Sequence, residues 1–399
     1  MVAATEHQIR SWEEAASAFT EESKIPVAVR TEEPDRYLGR LKRALRSKRP
    51  PDVFMLDSTR VPEFAASGAL LGLDSYVAKE KDARPKDYFP VAWQSYQYRG
   101  QCYGLPHELH MLSVMYNEEH LDAKLLSRPG PDWTWQDYLD MAKTLTEDRN
   151  GDGRIDTYGT AICPWWQVYV WQNGGDLVDD PSNPKRSTLS TPEAREALQW
   201  LADLSFKHKV VPSPRLTEST DPVGLFAAQR ISMVYAGRWN IKLVDQKGFF
   251  PWGYQGLPKG KLAANLGTGS GFCIPSGAKL ADKAFRLAVH LSAGAGQTML
   301  LGGGFSSPAY APLATSQYFT GETGQKGNAF YVGFAVARPV PATPRYAEIA
   351  QVWEEELGRL WSGEASVDEI TTRIDERVDR LLGEAEPAAA WLHGLTPAS

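Results

Sequence analysis

Residues 51–70 read Pro51-Asp52-Val53-Phe54-Met55-Leu56-Asp57-Ser58-Thr59-Arg60-Val61-Pro62-Glu63-Phe64-Ala65-Ala66-Ser67-Gly68-Ala69-Leu70. The apolar run 53–56, closed by an acid, has the length and composition of a buried strand. The segment 61–67 that follows reads as a helix, and Gly68 supplies the left-handed residue on which helices commonly end. A strand passing directly into a helix is the repeating unit of a layered α/β sheet.

The same alternation extends outward in both directions. Upstream, Ile9, Trp12, Ala16 and Phe19 recur at helical spacing, the β-branched segment 27–29 reads as a strand, and Tyr37, Leu41 and Leu45 mark a second helix. Downstream, residues 112–116 form an apolar strand. Thr134, with Asp137 three residues on, caps a helix carrying Trp135, Tyr138, Leu139, Ala142 and Leu145. Thr191-Pro192 opens another helix through Leu198, Leu201 and Leu204, and 231–235 and 269–274 are strand-like. Helices then dominate: 346–361 is amphipathic, and Ser366 with Glu369 forms a capping box ahead of Ile370, Ile374, Val378 and Leu381. The run 386–399 is expected to be a loose end.

With 399 residues, of which 42% are hydrophobic, the chain exceeds one ordinary core and can fill two. Its net charge of -6 is dispersed, with no basic stripe, so nucleic acid is not expected as a partner. No apolar run approaches the roughly 18 to 20 residues of a membrane span, and no Lys/Arg-led hydrophobic leader precedes Glu6. Cys102, Cys163 and Cys273 are too few and too widely spaced for a disulfide framework or a CxxC metal site. The 13 Trp and 16 Tyr are the unusual feature, because such side chains fill cores and also offer flat faces to a ligand.

Several segments, in order, resemble the extracellular solute-binding proteins of carbohydrate importers, the group that includes maltose-binding protein. They are Pro51-Asp52-Val53-Phe54 with Asp57, 64–70, Tyr103-Gly104-Leu105-Pro106, Met115-Tyr116-Asn117 and Trp133-Thr134-Trp135. Gly151-Asp152-Gly153 with Tyr158-Gly159, Trp171-Gln172-Asn173-Gly174-Gly175, 233–239, Leu257-Pro258 and Gly363 with the Ser366 box continue the series. The resemblance implies an α/β, two-lobed periplasmic-binding-protein-like (Venus flytrap) fold with discontinuous lobes and a hinge of crossing strands. Crossings are expected near Leu112, Gly267 and Ser316, giving lobes of 1–112 plus 267–316 and 113–266 plus 317–385, with 386–399 as tail. It further implies a small carbohydrate ligand in the cleft, transmembrane permease subunits of an ABC importer as partners, and an extracytoplasmic location, periplasmic or lipid-anchored. Only Met1 to Thr5 precede the first helix, so the first strand is expected to be short.

A sugar presents hydroxyls at its edge and C–H faces above and below, so its site needs planar aromatics together with Asp, Glu, Asn, Gln or Arg. By the resemblance, Trp239 falls where the family commonly places a stacking aromatic, and Trp165 or Trp166 follows a strand end facing the cleft; the alternative for each is a core tryptophan. Asp57 can accept hydroxyls at a strand's exposed end or cap a helix. His107 and Glu108 stand just before a crossing strand, Glu6 in the first strand-to-helix loop, and Arg338 is a later donor. The stretch Gly267-Thr268-Gly269-Ser270-Gly271 lacks the lysine of a phosphate-binding loop and precedes a strand, so nucleotide is rejected and Gly269 and Ser270 are read as backbone approaching the ligand. Phe305, after three glycines, borders the same cleft.

Asp148, Asn150, Asp152 and Asp156 occupy positions of a calcium loop, but Gly159 stands where the bidentate Glu belongs. A polar Asx-turn loop competes with a structural calcium there. No cofactor and no catalytic residue are expected, since the resemblance supplies neither nucleophile nor general acid. A secreted carbohydrate-active hydrolase, or a protein presenting ligand to a membrane sensor, are the alternatives.

Overall fold

The computed structural model describes residues 1–213, 221–301, 307–315 and 333–384. The opening stretch folds as its pattern requires. Phe54–Asp57 is a strand, Ser58–Arg60 a single 3-10 turn, Val61–Ala66 a helix, and Gly68 ends it with φ of 73°. The strand forms the sheet Phe54–Asp57, Ser270–Cys273, Gly104–Pro106, with Ser270–Cys273 in the middle and antiparallel to both neighbours. Around it, Phe54, Leu56 and Phe64 are buried in one core cluster and Leu105, Phe272 and Ile274 in another, onto which the helix Glu6–Ser23 lays Trp12 and Ala15.

The second sheet is built around Leu112–Asn117, which lies between Trp252–Gln255 and Met233–Gly237, antiparallel to each. All six residues of that central strand are buried because helices cover both faces, and its polar members are hydrogen-bonded within the fold, the Ser113 hydroxyl donating to the Ala236 carbonyl and the Asn117 side chain accepting from His120 N. Its core joins Val114, Tyr138, Leu198 and Tyr235 to Trp353, Ile370 and Ile374 of the last two helices, Tyr346–Trp361 and Val367–Gly383. Those helices are tied by Glu356, only 1% exposed, which accepts from Arg359, Arg373 and Arg377 at 2.9–3.0 Å.

Three passages run side by side between the cores. Leu109 and Met111 pack in the first core and Leu112 in the second; His110 bridges to Thr268; and Asn265–Leu266 pairs in parallel with Ala337–Arg338. The buried Asn265 amide clasps this junction, accepting from Leu112 N at 3.2 Å and donating to Leu112 O at 2.8 Å. Phe334 stacks on Phe89 at 4.3 Å in the first core. One local expectation fails: the strand read at 27–29 lies instead at Thr31–Glu32, where Val2–Ala3 supplies the parallel partner that makes it a strand. Among the described residues no helix is long and apolar enough to cross a membrane, and Cys102, Cys163 and Cys273 are buried free thiols.

Candidate functional site

Where the first sheet ends at the junction, Ser270 stands opposite Asp57, and its hydroxyl donates to Glu108 Oε1 at 2.6 Å. The close packing depends on Gly269, since a Cβ there would lie 2.0 Å from the Glu108 carbonyl oxygen. Glu108 Oε1 also faces His110 Nε2 at 3.2 Å, while the His110 N–H donates to the Thr268 carbonyl at 2.6 Å. Burial disfavours the charged form of both side chains, yet their mutual attraction and hydrogen bond prevail. Glu108 is thereby held far below the usual carboxylate range and His110 above its ordinary 6.5, with Asp57 adding to the latter.

From the other sheet, Met233–Gly237 runs to the junction and turns through Arg238–Asn240, which brings Trp239 back across its own strand end. The indole lies so close over Gly237 that a Cβ there would sit 1.9 Å from its ring. Trp239 is 37% exposed, its ring centroid 5.1 Å from that of His110 and 6.0 Å from that of Trp165, edge to face. Ser270, Glu108 and His110 thus meet Trp239 and Trp165 at one corner, with hydrogen-bonding groups from the first core's side of the junction and flat apolar faces from a turn and a loop on the second core's side.

Beyond the 58–60 turn lies a crevice of about 1090 Å³, walled by Ser58, Thr59 and Arg99 on one side and by residues 180–185 and 339–345 on the other. The start of the helix Tyr346–Trp361 touches that turn, and Asp57 and Arg60 both act electrostatically on the Tyr346 phenol. Tyr346 continues edge to face into Trp353 and then Trp166.

The remaining candidates are placed as follows. Asp57 caps the 58–60 turn, accepting from Thr59 N at 2.9 Å and Thr59 Oγ1 at 2.5 Å, with its carboxylate at the surface. His107 is buried against Trp12 and Phe272 with Nδ1 on the Leu291 carbonyl at 2.9 Å, and Trp166 packs on Trp353 in the second core. Glu6 is an exposed first-turn residue of its helix, while Arg338 pairs with Asp176 over the Trp171 ring and lines the crevice. Phe305 and the crossing at Ser316 lie outside the described residues. His110, Arg60 and Tyr346 were not singled out from the sequence; nothing local marks them, because the groups that give them a role come from distant segments.

In the 148–156 loop the acids are occupied by the chain itself. Asp148 accepts from Gly151 N and Gly153 N, Asn150 from Asp152 N, Asp152 from Arg154 N and Asp156 from Arg149 N, all at 2.8 Å. Among the described residues no group of three His, Cys, Asp or Glu is arranged to hold a metal ion. This is the Asx-turn arrangement, and calcium is not shown there.

Comparison with known proteins agrees with this architecture. The chain is 28% identical over 209 residues to the arabinooligosaccharide-binding protein of Halalkalibacterium halodurans, a match covering 50% of this chain and 44% of that one. It is 23% identical over 211 residues to the maltotriose-binding protein of Pyrococcus abyssi, covering 52% and 42%, so the matches span less than half the length of these relatives. In fold it is similar to an ABC substrate-binding protein of Listeria monocytogenes in complex with cycloalternan, with a TM-score of 0.84, 22% identity and coverage of 96% and 98% of the two chains. The sugar-binding protein MalE of Xanthomonas citri gives 0.81 and 21%, with 96% of each chain covered. A family profile matches residues 3–298, and the chain belongs to the bacterial extracellular solute-binding proteins.

Proposed function

We propose that the protein binds a carbohydrate in the cleft between its lobes, closes on it by bending at the three passages, and delivers it to the permease subunits of an ATP-driven importer. The observation that carries this reading is the corner where Trp239 and Trp165 face Glu108, His110 and Ser270. Stacking faces beside hydroxyl-binding groups are what a sugar ring requires. Closure is supported by the origin of the contacts, since the aromatics come from the second core's side of the junction and the hydrogen-bonding groups from the first. Asp57, Arg60 and Tyr346 extend the proposed contact set toward the crevice.

The lobe division proposed is that read from the sequence, with the third crossing carried past Phe334 because that ring packs on Phe89 in the first core. The extracytoplasmic location, periplasmic or lipid-anchored, rests on the family. Calcium at Asp148, Asn150, Asp152 and Asp156 is not needed for this reading. The test is a thermal-shift screen over arabino- and malto-oligosaccharides, followed by scattering. A ligand of the folded state raises the melting temperature with concentration and compacts the molecule. Sugars that neither shift the melt nor bind in calorimetry would overturn the proposal.

A further inference from the structure

We propose that His110 is the positioning residue for Trp239, seating the indole for ligand through the charge on its own imidazole, so that sugar affinity follows that charge. The affinity half rests on the function proposed above; the seating half does not. His110 lies on the first of the three passages, with a contact on each side: Glu108, itself held by Ser270, and the Trp239 ring at 5.1 Å. An imidazolium within about 6 Å of an indole centroid is attracted by the ring's negative face, and a neutral imidazole is not. Protonation therefore tightens both contacts at once, and its loss slackens the link between the lobes where the ligand is to sit.

The groups facing His110 set its behaviour. Glu108 and His107 are on its own segment, Asp57 is at the neighbouring strand end, and the Trp239 ring approaches from the turn after Met233–Gly237, with Trp165 against its other side. The two nearest acids favour the imidazolium and outweigh its burial, whereas His107, buried among apolar rings, is driven toward neutrality and does not share the role. The seat is complete below the ordinary imidazole value of about 6.5 and is lost as pH rises through the elevated pKa of His110.

Two measurements test this. In ligand-free protein, indole emission is followed against pH in the wild type, Trp239→Phe and His110→Gln, an imidazolium beside an indole being a quencher. A step above about pH 6.5 is expected in the wild type and in neither variant. The dissociation constant of the tightest oligosaccharide from the thermal screen should weaken about two- to fivefold across that step in the wild type, and His110→Gln should stay flat at the weaker value. A wild type without an emission step, a step surviving in His110→Gln, or a wild-type affinity that ignores the step would overturn the proposal. If no sugar binds at any pH, the function and the affinity half fall together, and the emission titration still decides the seating. Equal melting temperatures for His110→Gln and wild type at alkaline pH exclude a general folding defect.

Discussion

Gly237→Ala tests the site without removing any of its atoms. Gly237 has φ of -103° and ψ of 172°, an extended conformation that alanine adopts freely, so the substitution acts only through its new methyl group. That methyl would lie 1.9 and 2.0 Å from two indole carbons of Trp239, whereas carbon atoms rest about 3.5–4.0 Å apart, so the ring has to slide by roughly 2 Å or swing away. Because Trp239 is 37% exposed, the fold should lose only about 1 kcal/mol, the scale of a rotamer forced off its minimum. Binding should suffer more. Lost stacking of about 0.5–1.5 kcal/mol, plus ~50 Å² of ring contact at about 25 cal/mol per Å², gives roughly 2–3 kcal/mol, or about 30- to 150-fold in dissociation constant. Calorimetry with the oligosaccharide from the thermal screen, beside melting of the ligand-free protein, separates the two effects. Wild-type affinity in a Gly237→Ala protein that melts normally would refute the placement of the sugar on Trp239.

Glu356→Ala, which unties three arginines from a buried carboxylate, should destabilise by roughly 2–4 kcal/mol, somewhat under the cost of breaking a fully buried pair because the guanidiniums reach water; chemical denaturation reads it. Glu108 and Glu356 both have depressed pKa values, so their stabilisation is present above the ordinary carboxylate value of about 4.5 and lost as pH falls through their lower folded values. The melting temperature should accordingly fall on the acid side, less steeply in Glu356→Gln. Burial lifts the Cys102 thiol to about 12 and raises Cys163 and Cys273 too, so alkylation at neutral pH should reach none of them before unfolding and all of them after, as mass spectrometry will show. The 148–156 loop closes on backbone N–H groups, so chelator should leave the melt unchanged; a fall of several degrees, restored by calcium, would contradict that account.

The elements that were legible in the sequence are those whose cause is local. The capping boxes at Thr134 and Ser366 form as read, with Asp137 and Glu369 reaching back to the cap N–H groups. Gly68 and Gly363 take the positive φ that ends a helix, and the helix 346–361 has the bounds its amphipathic pattern gave. The segment 27–29 was misread because β-branching makes a strand only where a partner's backbone arrives, and that partner reaches residues 31–32. The site divides in the same way. Trp239, Glu108 and Ser270 lie at strand ends as read, Trp165 lies in a loop ahead of the helix Gln167–Gln172 and not at a strand end, and His107, one residue from Glu108, turns into the core against Trp12 and Phe272. Alternation along an extended segment sends neighbours to opposite faces, and only the fold decides which face is the cleft. His110 could not be found from its own neighbourhood, since its partner ring lies more than a hundred residues along the chain.

The middle position of Ser270–Cys273 also dictates an order of assembly. Phe54–Asp57 and Gly104–Pro106 have no hydrogen bonds to each other in the sheet; each pairs with the strand that arrives last. Until residue 273 has been synthesised, the first lobe holds two strands with a vacant lane between them, and closing that lane means closing a long loop before any pairing is gained. The second lobe's three-stranded sheet, by contrast, is complete by residue 255. The sheet whose strands begin the sequence is therefore expected to close after the sheet of the second lobe, leaving a nascent chain with its N-terminal strands unpaired while the segment behind them has already begun to pair.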